Sequence, residues 1–381
     1  MVKQISERLA KRGHDVTIAT TYLSERADSE INGVRIKEFK ISGNAVSGFS
    51  GDVENYKRFL IDSKFDIVMN YAAQQWATDL MLPMLKNISA KKVLVPCGFS
   101  GLYLEKYRNY YEKMKTWMRQ YDACVYLSNN YRDIDFARTF GIDNSVMIPN
   151  GAGQDEFAEK PSLDIRYILK IPKDHFLILH VGSHTGLKGH KEAIEIFKKV
   201  DIRDTSLLII GNDFGNGCGV MCHRAETFNR WNPLSKIMDK RIINRSLSRE
   251  ETIAAYGTAD LFLFPSNIEC SPLVLFECMA SETPFLTTDV GNAAEIIEWS
   301  GAGMLLPTTK DKNGYSKANV NRSAKLLADL YARPDRRKEM QSSGIKSWRK
   351  YFTWEIIIIK YEKLYENLLS GCPIKMMADH V

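Results

Sequence analysis

Lys188, Glu269 and Glu277 are the residues whose types and spacing could do chemistry together. Lys188 lies in Gly182-Ser183-His184-Thr185-Gly186-Leu187-Lys188-Gly189-His190, between a strand pattern ending at Gly182 and a helix pattern through Ala193, Ile194, Phe197 and Val200. A glycine-bearing turn from strand to helix gathers free backbone N–H groups at a positive helix end, where an anion such as phosphate binds favourably. Lys188 adds a full charge at that point. The spacing is not that of a Walker loop, and the plain alternative is an ordinary turn with a solvated lysine. The second segment is Pro265-Ser266-Asn267-Ile268-Glu269-Cys270-Ser271-Pro272-Leu273-Val274-Leu275-Phe276-Glu277-Cys278-Met279-Ala280. Ser271-Pro272 predicts a helix start, with serine as N-cap and proline at the first helical position. Glu269 then sits in the loop ahead of the helix, and Glu277 lies about five residues into it, ~7.5 Å along the axis. Carboxylates displaced in this way could each take a hydroxylated group at one end of a diphosphate. Glu277 also interrupts an apolar run and needs a partner if half-buried; a structural Arg or Lys is the alternative to a ligand.

The elements that must position these residues are short apolar strands alternating with helical patterns, which predicts parallel sheets with crossover helices. The strand candidates of the first half are Val16–Thr20, Val34–Phe39, Asp66–Asn70, Lys92–Pro96, Ala123–Ser128 and Val146–Pro149. Those of the second half are Phe176–Gly182, Leu207–Gly211, Arg241–Asn244, Leu261–Pro265, Pro284–Thr288 and Met304–Pro307. Most are apolar on consecutive residues, as strands covered on both faces must be. Between the halves, Asn150-Gly151-Ala152-Gly153 and Glu159-Lys160-Pro161-Ser162 read as a linker. The expected domains are 1–149 and 150–348, with a last helix over 353–370 crossing back onto the first. The chain opens on a helix pattern, Val2, Ile5 and Leu9, stopped by Gly13. The strand expected before it is missing from the pattern, and a native start upstream is the favoured explanation.

The composition narrows the function classes. With 381 residues, more than one core is expected. A net charge of +6, with 52 Lys+Arg interspersed among 46 Asp+Glu, argues against nucleic-acid binding. No apolar run is long enough to cross a bilayer, and Met1-Val2-Lys3 leads into a charged helix pattern unlike a signal peptide. The seven cysteines are odd in number and mostly in apolar segments, which points to a reducing cytoplasm.

Glu269 and Glu277, set in Pro265-Ser266…Glu269-x-x-Pro272-Leu273…Glu277-x-Met279-Ala280…Thr283-Pro284, resemble the E-x7-E signature of family 4 retaining glycosyltransferases. Gly182 with Lys188-Gly189 resembles the phosphate loop of that family, and Pro149-Asn150-Gly151 its interdomain turn. Asp289-Val290-Gly291…Glu295 and Phe352-Thr353-Trp354 fit as well. The resemblance implies the GT-B fold, two Rossmann-like α/β doubly wound domains facing a cleft, the first binding acceptor and the second donor. It implies a sugar moved from a nucleotide diphosphate sugar to a hydroxyl of a glycan or glycolipid, with retention and in polysaccharide biosynthesis. Carried over, Lys188 contacts the donor diphosphate, Glu269 the donor sugar and Glu277 the ribose hydroxyls. Gly182, Ser183 and the N–H groups around Ser271, Leu273 and Val274 complete the nucleotide-sugar site. Lys188 and Glu269 are the residues expected to carry catalysis; no protein nucleophile, cofactor or metal is implied.

Three positions depart from the family pattern. Ser183 stands where an Arg is usual, with His184 or His190 as potential substitutes. Pro96-Cys97-Gly98-Phe99-Ser100-Gly101 stands where many members carry a His; no catalytic role is assigned to Cys97, while Gly98 and Ser100 are expected to line the cleft. The third is the missing first strand. These departures keep two rivals open, a non-catalytic sugar-nucleotide-binding scaffold and an epimerase or hydrolase of the same architecture. Among weaker features, Asp133-Ile134-Asp135 reads as two solvated carboxylates diverging on a helix. Gly211…Gly215-Asn216-Gly217 lacks the context of a dinucleotide fingerprint. Cys218-x3-Cys222-His223 lacks the second half of a Cys/His quartet, so free thiols are expected there, with structural zinc the alternative. Arg336-Arg337-Lys338 with Lys346, Arg349 and Lys350 reads as a solvated face, or as a peripheral contact with the inner face of the membrane if the acceptor is lipid-linked.

Overall fold

The computed structural model describes residues 1–159, 162–212 and 217–372. The chain divides into two compact units, one formed by Met1–Asn150 with the final helix, the other by Gly151–Thr353.

In the second unit six parallel strands form one sheet in the order Lys240–Arg245, Thr205–Ile210, Phe176–Val181, Leu261–Phe264, Phe285–Thr287, Gly303–Leu305. Numbered along the chain this is 3-2-1-4-5-6, the doubly wound order, which reverses between Phe176–Val181 and Leu261–Phe264. Both strands at the reversal are buried almost throughout, because helices cover both faces of a parallel sheet. Each buried Leu, Ile or Phe contributes roughly 1.5–3 kcal/mol. Cys270, in the loop after Leu261–Phe264, is held by the loop after Phe285–Thr287: Asn292 N donates to Cys270 O at 2.9 Å. The unit's two ends are joined where Ala152 N donates to Phe352 O at 3.0 Å and Trp348 Nε1 to Ala152 O at 3.0 Å.

In the first unit four parallel strands run in the order Ile67–Tyr71, Lys91–Val95, Ala123–Tyr126, Ser145–Met147. Val16–Thr21 and Val34–Phe39 pair in a separate sheet, edged by the antiparallel Glu30–Ile31. The opening helix Val2–Lys11 packs on the last helix Trp354–Leu369. Arg8 donates to Glu355 at 2.7 Å, and Arg12 and His14 both reach Glu362. After Lys91–Val95 the chain turns through Cys97, Gly98 and Phe99, all with positive φ. Asp133 Oδ2 anchors this turn by accepting from Gly98 N at 2.8 Å. Asp133 is therefore not solvated as expected: it is 1% exposed, while Asp135 does face solvent. Burial pushes the Asp133 carboxyl up to about 6, against the backbone hydrogen bonds that favour its ionised form. Burial likewise pushes the Cys97 thiol up to about 12, which suppresses its thiolate at neutral pH.

Among the described residues no helix is long and apolar enough to cross a membrane. The basic cluster is only partly a solvated face, since Arg337 donates to Leu330 O at 2.6 Å and lies over the Phe176 ring. Of the expected linker, Lys160 and Pro161 lie outside the described residues.

Candidate functional site

In an open doubly wound sheet, ligands bind outside the carboxyl ends of the strands where the order reverses. The two loops that leave those ends, after Phe176–Val181 and after Leu261–Phe264, carry Lys188 and Glu269. Lys188 Nζ lies 2.7 Å from Glu269 Oε1, with side-chain exposures of 31% and 11%. The same oxygen accepts from Ser266 Oγ at 2.9 Å. Asn267 N donates to Leu187 O at 2.9 Å, which ties the two loops together beneath the pair. Gly189 makes this approach practicable: its φ is +77°, and a Cβ there would lie 2.0 Å from Pro265 O. A left-handed glycine pressed on a carbonyl leaves no room for any side chain. Gly182 lies at the strand end beside the Lys188 stem.

The helix bearing Glu277 runs Leu273–Ala280. Ser271 is not its N-cap. Pro272 has extended ψ of 111° and is the flanking residue, so the helix begins one position later than the Ser-Pro pattern implied. Among the described residues no side chain caps the start at Leu273 and Val274, and Ser271 is buried beside it. Glu277 is the fifth helical residue, buried at 9% exposure. Its Oε1 lies 2.7 Å from Arg249 Nη2, so the structural-cation alternative is realised. Arg249 also pairs in bidentate fashion with Glu156, at 2.8 and 3.0 Å. Burial alone would lower the Arg249 pKa, but Glu156 and Glu277 raise it overall. Tyr256, fully buried, faces Glu277, and burial followed by that carboxylate drives its hydroxyl pKa up.

Arg249 and Glu156 were missed by the sequence reading. Ser248 and Glu251 form a capping box that marks the helix Arg249–Thr258, so the helix start was readable from Ser-x-x-Glu. Its pairing with residues 93 and 28 positions away was not. The histidines do not replace the cation absent at Ser183. His190 is 1% exposed and its Nε2 faces Gly182 O at 3.1 Å; burial, then His180 and His184, push its pKa down to about 2. His184 is buried as well. His223 is exposed, on a helix that begins beside Cys218. Gly215 and Asn216 lie outside the described residues.

The comparisons with known proteins bear on the family and the fold. Residues 162–346 match the family described as glycosyl transferases group 1, and residues 1–155 match Glycosyltransferase Family 4. Sucrose-phosphate synthase from Thermosynechococcus elongatus superposes with a TM-score of 0.78 at 18% identity, covering 97% of this chain and 93% of that one. The chain is a glycosyltransferase of the GT-B fold. The capsular polysaccharide biosynthesis glycosyltransferase CapM of Staphylococcus aureus is 26% identical to this transferase over 205 residues, 53% of this chain and 48% of that protein. Anabaena HepE, solved in complex with UDP-glucose, has a TM-score of 0.72 at 13% identity, covering 96% of this chain and 94% of that one. The transferase thus carries its Lys188 and Glu269 loops in the half that matches the group 1 family.

Proposed function

We propose that the chain is a retaining glycosyltransferase that moves a sugar from a nucleotide diphosphate sugar to a hydroxyl of a glycan or glycolipid. The observation that carries this reading is the Lys188–Glu269 pair, 2.7 Å apart at the carboxyl end of the reversed strand order. As the bond between sugar and diphosphate breaks, negative charge grows on the leaving phosphate. The uncapped N–H groups of Leu273 and Val274 stabilise that charge from fixed positions, and Lys188 joins them on leaving Glu269. Gly182 and Ser183 border the diphosphate, Ser271 shapes the helix entry, and Glu269 is released from Lys188 to hydrogen-bond the donor sugar. Glu277 keeps one oxygen on Arg249 and offers the other to the ribose hydroxyls. The acceptor hydroxyl attacks on the face the phosphate leaves, and the phosphate accepts its proton, so configuration is retained without a protein nucleophile. The cation and amides do the work of a catalytic metal ion, so none is needed. The likeness to a capsular polysaccharide transferase supports a glycan acceptor, and a lipid-linked one would bring the chain to the inner face of the membrane.

The test is transfer measured against a panel of nucleotide sugars without added divalent cations, with the product anomer read by NMR. Lys188→Ala should lower turnover at least tenfold, on the order of 1.4 kcal/mol of barrier. An inverted product would remove the retaining reading. Nucleotide binding with no turnover on any donor would favour a non-catalytic scaffold.

A further inference from the structure

Beneath the Lys188 loop, two cysteines of the helix start Gly219–Trp231 meet a histidine of the loop itself. His184 Nδ1 lies 3.6 Å from Cys218 Sγ. The ligand atoms of His184, Cys218 and Cys222 all fall within 4.8 Å of one another. Cys222 is fully buried, His184 is 3% exposed and Cys218 is half-buried. Zinc bonds of about 2.3 Å to sulfur and 2.0–2.1 Å to nitrogen give a tetrahedron whose N–S edge is ~3.6 Å, the separation seen here. The backbone is shaped to bring the three together. Gly217, with φ +92°, presses on His184 O, where a Cβ would come within 1.7 Å. Gly211 lies against His184 Nε2, 3.2 Å from where its Cβ would be. Two glycines therefore leave His184 the space between its own loop and the cysteines.

A further histidine lies beside the cluster. His190 Nδ1 is buried and has no hydrogen-bond partner among the described residues, while its ring lies 4.4 Å from that of His184. Its Nε2 faces Gly182 O at 3.1 Å. With the ring proton on Nε2, Nδ1 is left a bare lone pair beside the His184 ring.

We propose that His184, Cys218 and Cys222 bind a zinc ion, with the fourth corner left to a ligand outside this cluster. Two thiols and imidazole are a soft donor set that selects zinc over magnesium or calcium. Both thiols lose their protons on binding. The ion would not touch the reacting groups; it would fasten the loop that carries Lys188 to the helix Gly219–Trp231. The inference stands apart from the transferase reading, because metal content is measured without activity.

The full chain is expressed in zinc-supplemented medium and purified without chelator, and its metal is counted by mass spectrometry. One zinc per chain is expected, retained in His223→Ala and reduced at least tenfold in the Cys218→Ser, Cys222→Ser double variant. Reconstitution of the wild-type chain with cobalt should show a thiolate charge-transfer band and the intense visible bands of a four-coordinate site. Zinc absent from the wild-type chain, cobalt spectra without a thiolate band, or a Cys218–Cys222 disulfide in non-reduced peptides would each overturn the proposal.

Discussion

Glu269→Gln should move nucleoside diphosphate binding and turnover in opposite directions. In the free chain the Lys188 ammonium is held 2.7 Å from Glu269. At an effective dielectric of 20 the gross attraction at that distance is about 6 kcal/mol. Desolvation and side-chain ordering offset most of it, leaving about 1 kcal/mol for a pair with Lys188 31% exposed. A diphosphate that recruits Lys188 competes against this residue. Glutamine keeps the shape and the acceptor oxygen facing Lys188 and Ser266 but removes the charge. The nucleoside diphosphate selected by the donor panel should therefore bind about fivefold tighter by calorimetry, since 1.4 kcal/mol is tenfold. Turnover should fall at least tenfold, because the carboxylate proposed to hold the donor sugar is gone. Weaker nucleotide binding together with lower turnover would refute the reasoning and leave Glu269 as a loop-holding residue.

Gly189→Ala should destabilise the chain by about 2–4 kcal/mol, since the alanine would be strained at positive φ and would meet Pro265 O; an unchanged thermal midpoint would mean that the loop has another place to go. Asp133, with its folded pKa raised from 3.8 to about 6, takes up a proton more readily folded than unfolded between those values, so its contribution is full below pH 4 and lost as pH rises through 6. Asp133→Asn should therefore gain stability relative to the wild type between pH 4 and pH 7, and a pH-independent difference in midpoint would contradict this. Ser183→Arg should tighten nucleoside diphosphate binding about tenfold through one charge-assisted hydrogen bond; unchanged affinity by calorimetry would mean that position 183 does not face the phosphates.

All twelve strand candidates are present, with ends shifted by no more than two residues, because strands buried on both faces leave unbroken apolar runs such as Leu261–Phe264. The antiparallel pairs Ile41–Asn44 with Gly48–Gly51 and Thr308–Lys310 with Ser316–Ala318 were not legible. They are short and largely exposed, so no apolar pattern marks them. Lys188 and Glu269 could be read as neighbours in function from glycine spacing and helix signals, but not as an ion pair, since 81 residues separate them. Asp133 shows the same limit: its charge suggested solvent, but the left-handed turn at Gly98 and the amide of Ile134 supply N–H groups that hold it inside.

The charges around the proposed donor position explain why the helix start matters. Lys188 and Arg249 face three carboxylates, Glu269, Glu277 and Glu156, and each cation is already engaged by at least one of them. Side-chain charge alone therefore gives a diphosphate no net attraction, and His190, held neutral by burial, adds none. The compensating field must come from backbone: the uncapped start of Leu273–Ala280 and the start of His190–Lys199 behind Gly189, which point two positive helix ends at the same strand ends. Amides positioned in this way cost no reorganisation when charge develops, whereas Lys188 must first exchange Glu269 for phosphate. In the proposed reaction that exchange would couple the arrival of the donor to the release of the carboxylate proposed to hold its sugar, so that one ion pair would supply both contacts.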